Sequence, residues 1–192
     1  MEVRDAISRR RSIRKFTDAP VPRETIKRVL SAAVLAPSAK NRQPWRFVVL
    51  QGAARLKLAR LMEEGAAFVE ARGDSSGSCR SSARIVTQAP VTILIFNPEY
   101  HHEGVIFDHV TYNAPDIQSI GGMVQTMLLA AEDLGLGTLW ICDILYAYPL
   151  IREWLKRDEE MVTAVSLGYA DISPDARPRT PWQEITEWRD AE

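Results

Sequence analysis

The chain has 192 residues, 46% hydrophobic and 26% charged, ordinary values for one globular domain with a full core. A net charge of −1 excludes bulk attraction to nucleic acid or to an anionic membrane. Its two cysteines, Cys79 and Cys142, make no metal or disulfide pattern, and MEVRDAISRRRS at the N-terminus lacks an apolar signal region, so a reducing cytoplasm is expected.

Val3–Ser8 reads as a short amphipathic helix that runs into Arg9-Arg10-Arg11-Ser12-Ile13-Arg14-Lys15-Phe16. Taken alone, such a run favours a solvated basic face; the alternative is an anion site, with guanidiniums forked around a phosphate. Asp18–Pro22 is an extended connector. Ile26, Val29, Leu30, Ala33 and Val34 share one side of a helix predicted over Glu24–Ala36, which Pro37 ends. The stretch from Pro37 to Trp45 is polar and turn-rich. Arg46–Gln51 predicts a strand and Ala53–Gly65 an amphipathic helix. Gly73–Ser82 predicts a mobile glycine- and serine-rich loop, Ala83–Gln88 a helical turn and Val91–Phe96 a buried strand.

Asn97–Pro115 is the least regular stretch. His101, His102, Asp108 and His109 fit no strong ligand template, so no metal is expected. Tyr100, His102, Phe107 and Tyr112 suggest an aromatic lid over a pocket instead. The most apolar helical run follows, over Asp116–Leu134. Ile117, Ile120, Val124, Met127, Leu128, Ala131 and Leu134 mark one face, and Met123, Leu129 and Ala130 a second. A helix apolar on more than one side belongs in the core, in a subunit interface, or in both. Asp116, Gln118, Gln125, Glu132 and Asp133 interrupt the run, which argues against a membrane span. Gly135 and Gly137 stop it, and Thr138–Cys142 reads as a short buried strand. Tyr148–Arg157 predicts a helix and Met161–Tyr169 a strand. Ala170–Glu192 is a proline-rich arm whose Trp182 and Trp188 need a surface to cover.

No GxGxxG, GxxxxGK[ST] or GxSxG motif is present, which disfavours dinucleotide-binding, P-loop and hydrolase folds. Pattern alone reaches an α+β domain with an anion site.

Four stretches carry the reading further. RRSIRKF, APSAKNRQPWRF, LLAAEDLGLGTLWI and LGYADISPDARPRTPWQEI, in that order, resemble motifs of the FMN-dependent nitroreductase family. The resemblance covers both ends and the central helix; residues 57–90 and 97–115 match poorly. It implies a nitroreductase-like α+β sandwich, with a central mixed sheet flanked by helices around a long buried helix. It also implies an intertwined homodimer with FMN in the interface, one domain spanning residues 1–192, and an arm over 170–192 embracing the partner.

The resemblance assigns roles by position. Arg10, Arg11 and Ser12 stand where the family binds the FMN phosphate and ribityl chain, and Arg14 near the pyrimidine edge of the flavin. Arg177 and Arg179 match two basic residues that close on the phosphate. Pro37, Ser38, Ala39, Asn41 and Gln43 match a loop that lines the flavin of the other subunit. Ile141, Cys142 and Asp143 match a strand end whose backbone N–H groups face flavin N5. An enteric member has an acidic residue and a glycine where this chain has Cys142 and Asp143, and no flavin-ring asparagine or lysine is matched within 65–82. The implied activity is hydride transfer from NADH or NADPH through flavin N5 to nitroaromatic, quinone or similar acceptors in a ping-pong cycle, with no catalytic side chain. A same-fold dehalogenase, enone reductase or flavin-consuming enzyme is an alternative, as is a flavin-binding redox sensor without turnover. A basic module binding nucleic acid is disfavoured by the net charge and by the lack of aromatics among the arginines.

Overall fold

A computed structural model describes residues 2–98 and 113–189. Its helices are α1 (Val3–Arg9), α2 (Arg23–Ala33), α3 (Gly52–Glu70), α4 (Cys79–Gln88), α5 (Ala114–Asp133) and α6 (Tyr148–Leu155). Four strands, β1 (Arg46–Gln51), β2 (Val91–Asn97), β3 (Gly137–Ile141) and β4 (Glu160–Gly168), form one sheet in the order β1-β2-β4-β3. The α+β class and the helix-flanked sandwich are as expected. The strands, however, pair antiparallel throughout, and the expected mixed character is limited to a single parallel bridge between Ser12 and Thr138. The connection explains this: α3 leaves the end of β1 and α4 brings the chain back to it, so β2 starts beside the residue that β1 ended on, with Val91 opposite Gln51. A single crossover helix would have delivered a parallel strand.

β2 is buried along its whole length because helices cover both faces of the sheet. Val91, Ile93 and Ile95 pack with Val165 and Leu167 against α2 and α5. Leu94 and Phe96 pack with Leu50, Leu139 and Ala164 against α3 and α4. A strand buried on both sides is apolar without alternation, as VTILIF is. The two buried hydroxyls between β2 and β4, Thr92 and Ser166, satisfy each other at 2.9 Å.

α5 seals the α2 side. Ile120, Met123, Val124, Met127, Leu128 and Ala131 are buried there, and each large side chain stabilises the fold by about 1.5–3 kcal/mol. Its opposite side is bare: Ile117, expected on the buried face, is exposed, as are Gln118, Gly122 and Gln125. The helix ends as expected. Leu136 N–H reaches Ala131 O at 2.8 Å and Gly135 N–H reaches Glu132 O at 3.0 Å, the paired bonds of a glycine-terminated helix.

Three other boundaries differ from expectation. α3 continues to Glu70 instead of stopping at Gly65, because Gly65 serves packing: a Cβ there would lie 2.6 Å from Tyr146 O. α4 begins at Cys79, not Ala83, since Cys79, Ser82, Ala83 and Val86 form a buried face at helical spacing. Gly73–Ser82 is therefore not a loop throughout. α2 stops at Ala33. Residues 170–189 carry only a one-turn helix at Trp182–Ile185, and Trp182, Ile185 and Trp188 are exposed. Among the described residues, no helix is long and apolar enough to cross a membrane.

Candidate functional site

The arginine run is held at the edge of the sheet by main-chain bonds. Ile13 N–H donates to Thr138 O at 2.8 Å, Thr17 N–H to Tyr169 O at 2.9 Å, and Asp171 N–H to Lys15 O at 3.1 Å. Gly137 permits this approach, because a Cβ there would lie 2.6 Å from Ile13 Cγ1. The same pairing draws in the segment after β4. One cleft of about 150 Å³ is consequently lined by Arg10, Arg11, Ser12 and Arg14 from one end of the chain and by Arg177 and Arg179 from the other, with Asp175 as its carboxylate. Arg11 Nη1 bonds to Ser8 O and Arg10 O, whereas its Nε is buried without a hydrogen-bond partner among the described residues.

Arg14 also lines a neighbouring pocket of about 190 Å³, formed where β3 ends at Ile141, Cys142 and Asp143. Ser78, Ser81 and Ser82 form its other wall. Asp143 Oδ2 accepts the Ser78 N–H at 3.0 Å, which ties the end of β3 to the start of α4. Thr163 ties it a second time: its hydroxyl accepts from Trp140 Nε1 at 2.7 Å and donates to Ile141 O at 2.9 Å. Cys142, expected to be buried, is exposed because β3 ends one residue before it. Cys79 is the buried cysteine; its thiol donates to Met62 O at 3.3 Å, and burial followed by the charge of Asp143 pushes its pKa up to about 11. Such a thiol is a packing group, not a nucleophile.

The connection before α4, expected to be mobile, is tied down. Arg80 bridges Glu63 at 2.5 Å and Glu70 at 2.7 Å, and Ser76 Oγ donates to Glu70 Oε1 at 2.6 Å. Hydrogen bonds from Arg80 and then Ser76 hold the Glu70 carboxyl down at about 2.

Pro37, Ser38, Ala39, Asn41 and Gln43 line neither the cleft nor the pocket of their own chain. Ala39–Asn41 forms a short 3₁₀ turn beside α5, where Ser119 Oγ accepts the Ala39 N–H at 3.1 Å and Arg42 pairs with Asp116. Tyr100, His102, Phe107 and Tyr112, like His101, Asp108 and His109, lie outside the described residues.

The nitroreductase family model matches residues 7–169. The chain belongs to the nitroreductase family. A Methanothermobacter thermautotrophicus protein assigned as an NADH dehydrogenase/NAD(P)H nitroreductase is 31% identical over 188 residues, covering 92% of this chain and 82% of the relative. The chloronitrobenzene nitroreductase of Comamonas testosteroni is 34% identical, covering 88% and 87%. Among solved structures, a Desulfovibrio desulfuricans protein assigned as a nitroreductase and in complex with FMN superposes with a TM-score of 0.77 at 29% identity, over 100% of this chain and 99% of that one.

Sequence reading of this nitroreductase-family chain missed Ser78, Ser81 and Ser82, which it placed in a loop. The signal was present in the three-and-four spacing of Cys79, Ser82, Ala83 and Val86, masked by the glycines and serines before it. It also missed the Arg42–Asp116 pair and the Trp140–Thr163–Ile141 chain, which join residues 74 and about 20 positions apart and leave no local trace.

Proposed function

We propose that the protein is an FMN-dependent oxidoreductase that draws hydride from NADH or NADPH and passes it to nitroaromatic, quinone or similar acceptors. The observation that carries this reading is the single cleft in which both ends of the chain place five arginines and Ser12, opening through Arg14 towards the end of β3. The donor set suits the cofactor. An FMN phosphate carries about −1.5 to −2 charges at neutral pH, and the unpartnered Arg11 Nε is a buried donor that such an anion would satisfy.

In this reading Arg10, Arg11, Ser12, Arg177 and Arg179 hold the phosphate. Arg14 lies against the pyrimidine edge of the ring and offsets negative charge that accumulates there. The backbone N–H groups of Cys142 and Asp143, fixed by Thr163 and Ser78, face the ring edge. When bound, the flavin would supply the two-electron hydride chemistry, and the residues named here would hold and orient it. This reading needs no general acid from the chain, because solvent can protonate a quinone or nitro acceptor.

A second copy of the chain completes the assembly. The bare side of α5 and the exposed Trp182, Ile185 and Trp188 are surfaces of the kind a partner covers. The residues 38–43 that line neither cavity of their own chain would then reach the partner's flavin. We take residues 1–192 as one domain, acting in the cytoplasm, and place acceptor selection in residues 97–115.

The test is direct. The purified protein should be a yellow dimer with an FMN spectrum that NADH or NADPH bleaches and a nitroaromatic or quinone restores. A protein that cannot be loaded with FMN would overturn the reading; one that loads but resists bleaching would be a flavin-binding sensor.

A further inference from the structure

We infer that Asp116 and Ser119 of α5 are positioning residues that hold the Ser38–Gln43 loop in the backbone conformation in which it meets the flavin; the inference rests on the flavin reading above. The loop is strained. Lys40, Asn41 and Gln43 have φ of 52°, 54° and 52°, and of the described residues only Lys156 shares a positive φ without being glycine. A side chain disfavours this left-handed region, asparagine least, lysine and glutamine more. Three such residues within four positions persist only where surrounding structure imposes them.

α5 supplies that structure. Ser119 Oγ donates to Pro115 O at 2.6 Å and accepts the Ala39 N–H at 3.1 Å, just before the strained residues. Asp116, one helical turn earlier and fully buried, pairs with Arg42, which lies between Asn41 and Gln43. The loop then closes on itself, with the Gln43 N–H donating to Ser38 Oγ at 3.0 Å. Both anchors stand on one face of one rigid helix. Between them Asn41 and Gln43 are exposed; Gln43 Nε2 donates to Asn41 O at 3.5 Å, a long bond at the surface that leaves both amide groups within reach of a ligand from outside the chain. Burying a carboxylate is costly even when it is paired, and a pair of this kind fixes geometry more than it adds stability. A solvent-facing turn has no need of it; a loop that must present two amides at a set angle does. Because α5 also carries the bare outer face, the latch sets the loop's orientation relative to a second subunit.

The test titrates FMN and riboflavin into the full chain carrying Asp116→Asn or Ser119→Ala, each with and without Lys40→Gly. Either substitution should weaken FMN binding about tenfold, the ratio that 1.4 kcal/mol represents. Riboflavin should weaken by the same factor, since the loop is assigned to ring and ribityl atoms. Lys40→Gly should recover most of the loss, because glycine adopts a left-handed φ without penalty. Should Asp116→Asn fail to fold, Ser119→Ala alone decides. Unchanged flavin affinity in the folded variants overturns the inference, as does a loss that Lys40→Gly does not recover, which would mark both residues as mere supports of the fold. A wild-type chain that binds neither flavin overturns the flavin reading and this inference together.

Discussion

The arginine cleft and the pocket at the end of β3 share Arg14 but are built in opposite ways. The cleft's chemistry lies in residue identity. Residues 10–14 and 174–179 have almost no regular structure of their own, and main-chain bonds to the ends of β3 and β4 bring their guanidiniums together. The pocket's chemistry lies in backbone position. On the flavin reading its wall at Ile141–Asp143 would offer N–H groups, and what would matter is where the bonds to Ser78 and Thr163 hold that segment. A site of the first kind tolerates a shift of an ångström, because charge acts over distance; a site of the second kind does not, because a hydrogen bond weakens steeply with misalignment.

The sharpest way to break this contrast is to remove charge from the cleft. Arg10→Ala or Arg179→Ala deletes a charge-assisted contact of about 1.5–3 kcal/mol, so FMN affinity should fall about 10- to 150-fold. Riboflavin, without a phosphate, should hardly respond. Calorimetric titration of both ligands checks this. Equal losses for the two would move the phosphate out of the cleft.

The same contrast explains what the sequence made legible. RRSIRKF and ARPRT announce their chemistry by composition, and the cleft contains the arginines so marked. VTILIF and the run from Ile120 to Ala131 announce burial, and both lie in the core. The serines of the pocket announce nothing: GDSSGSCRSS has loop composition, and only tertiary packing of Cys79 and Val86 turns its second half into α4. The antiparallel sheet was equally hidden, since whether one helix or two joins β1 to β2 turned on where α3 and α4 began and ended.

Placement of the cleft can be disturbed without touching its charges. Gly137→Ala would put a Cβ 2.6 Å from Ile13 Cγ1 and 3.1 Å from Ala170 Cβ, pushing apart the two segments that carry the arginines. Overpacking of this kind costs about 1–3 kcal/mol of stability. The melting temperature should fall, and FMN affinity with it, although all five arginines of the cleft remain. Unchanged affinity would show that charge alone makes the cleft. Thr163→Val tests the pocket more gently. It removes the hydroxyl between Trp140 Nε1 and Ile141 O, but Trp140 is 38% exposed and water can replace its acceptor. Only the carbonyl is left wanting, so the cost is at the low end, about 1 kcal/mol. Riboflavin and FMN affinity should drop together, and the emission of Trp140 should shift. A drop confined to FMN would tie Thr163 to the cleft instead.

The smallest effect concerns Arg80, Glu70 and Ser76, which brace the start of α4 beside the pocket. Glu70 is held at about 2, against 4.5 for a free side chain, by its bonds from Arg80 and Ser76. A folded-state pKa below the unfolded one means that the ionised carboxylate stabilises the fold. That contribution is complete above about pH 4.5 and disappears as the pH falls from 4.5 towards 2. Glu70→Gln should therefore melt below wild type at pH 7, and the gap should close as the pH descends through that window. Both partners are partly exposed, so the gap should also shrink in 0.5 M salt, where the screening length falls to roughly 4 Å. The absence of any gap at pH 7 would mean that Arg80 grips α3 through Glu63 alone. The pocket's serine wall would then be set by Asp143 and its bond to the Ser78 N–H, without help from the brace.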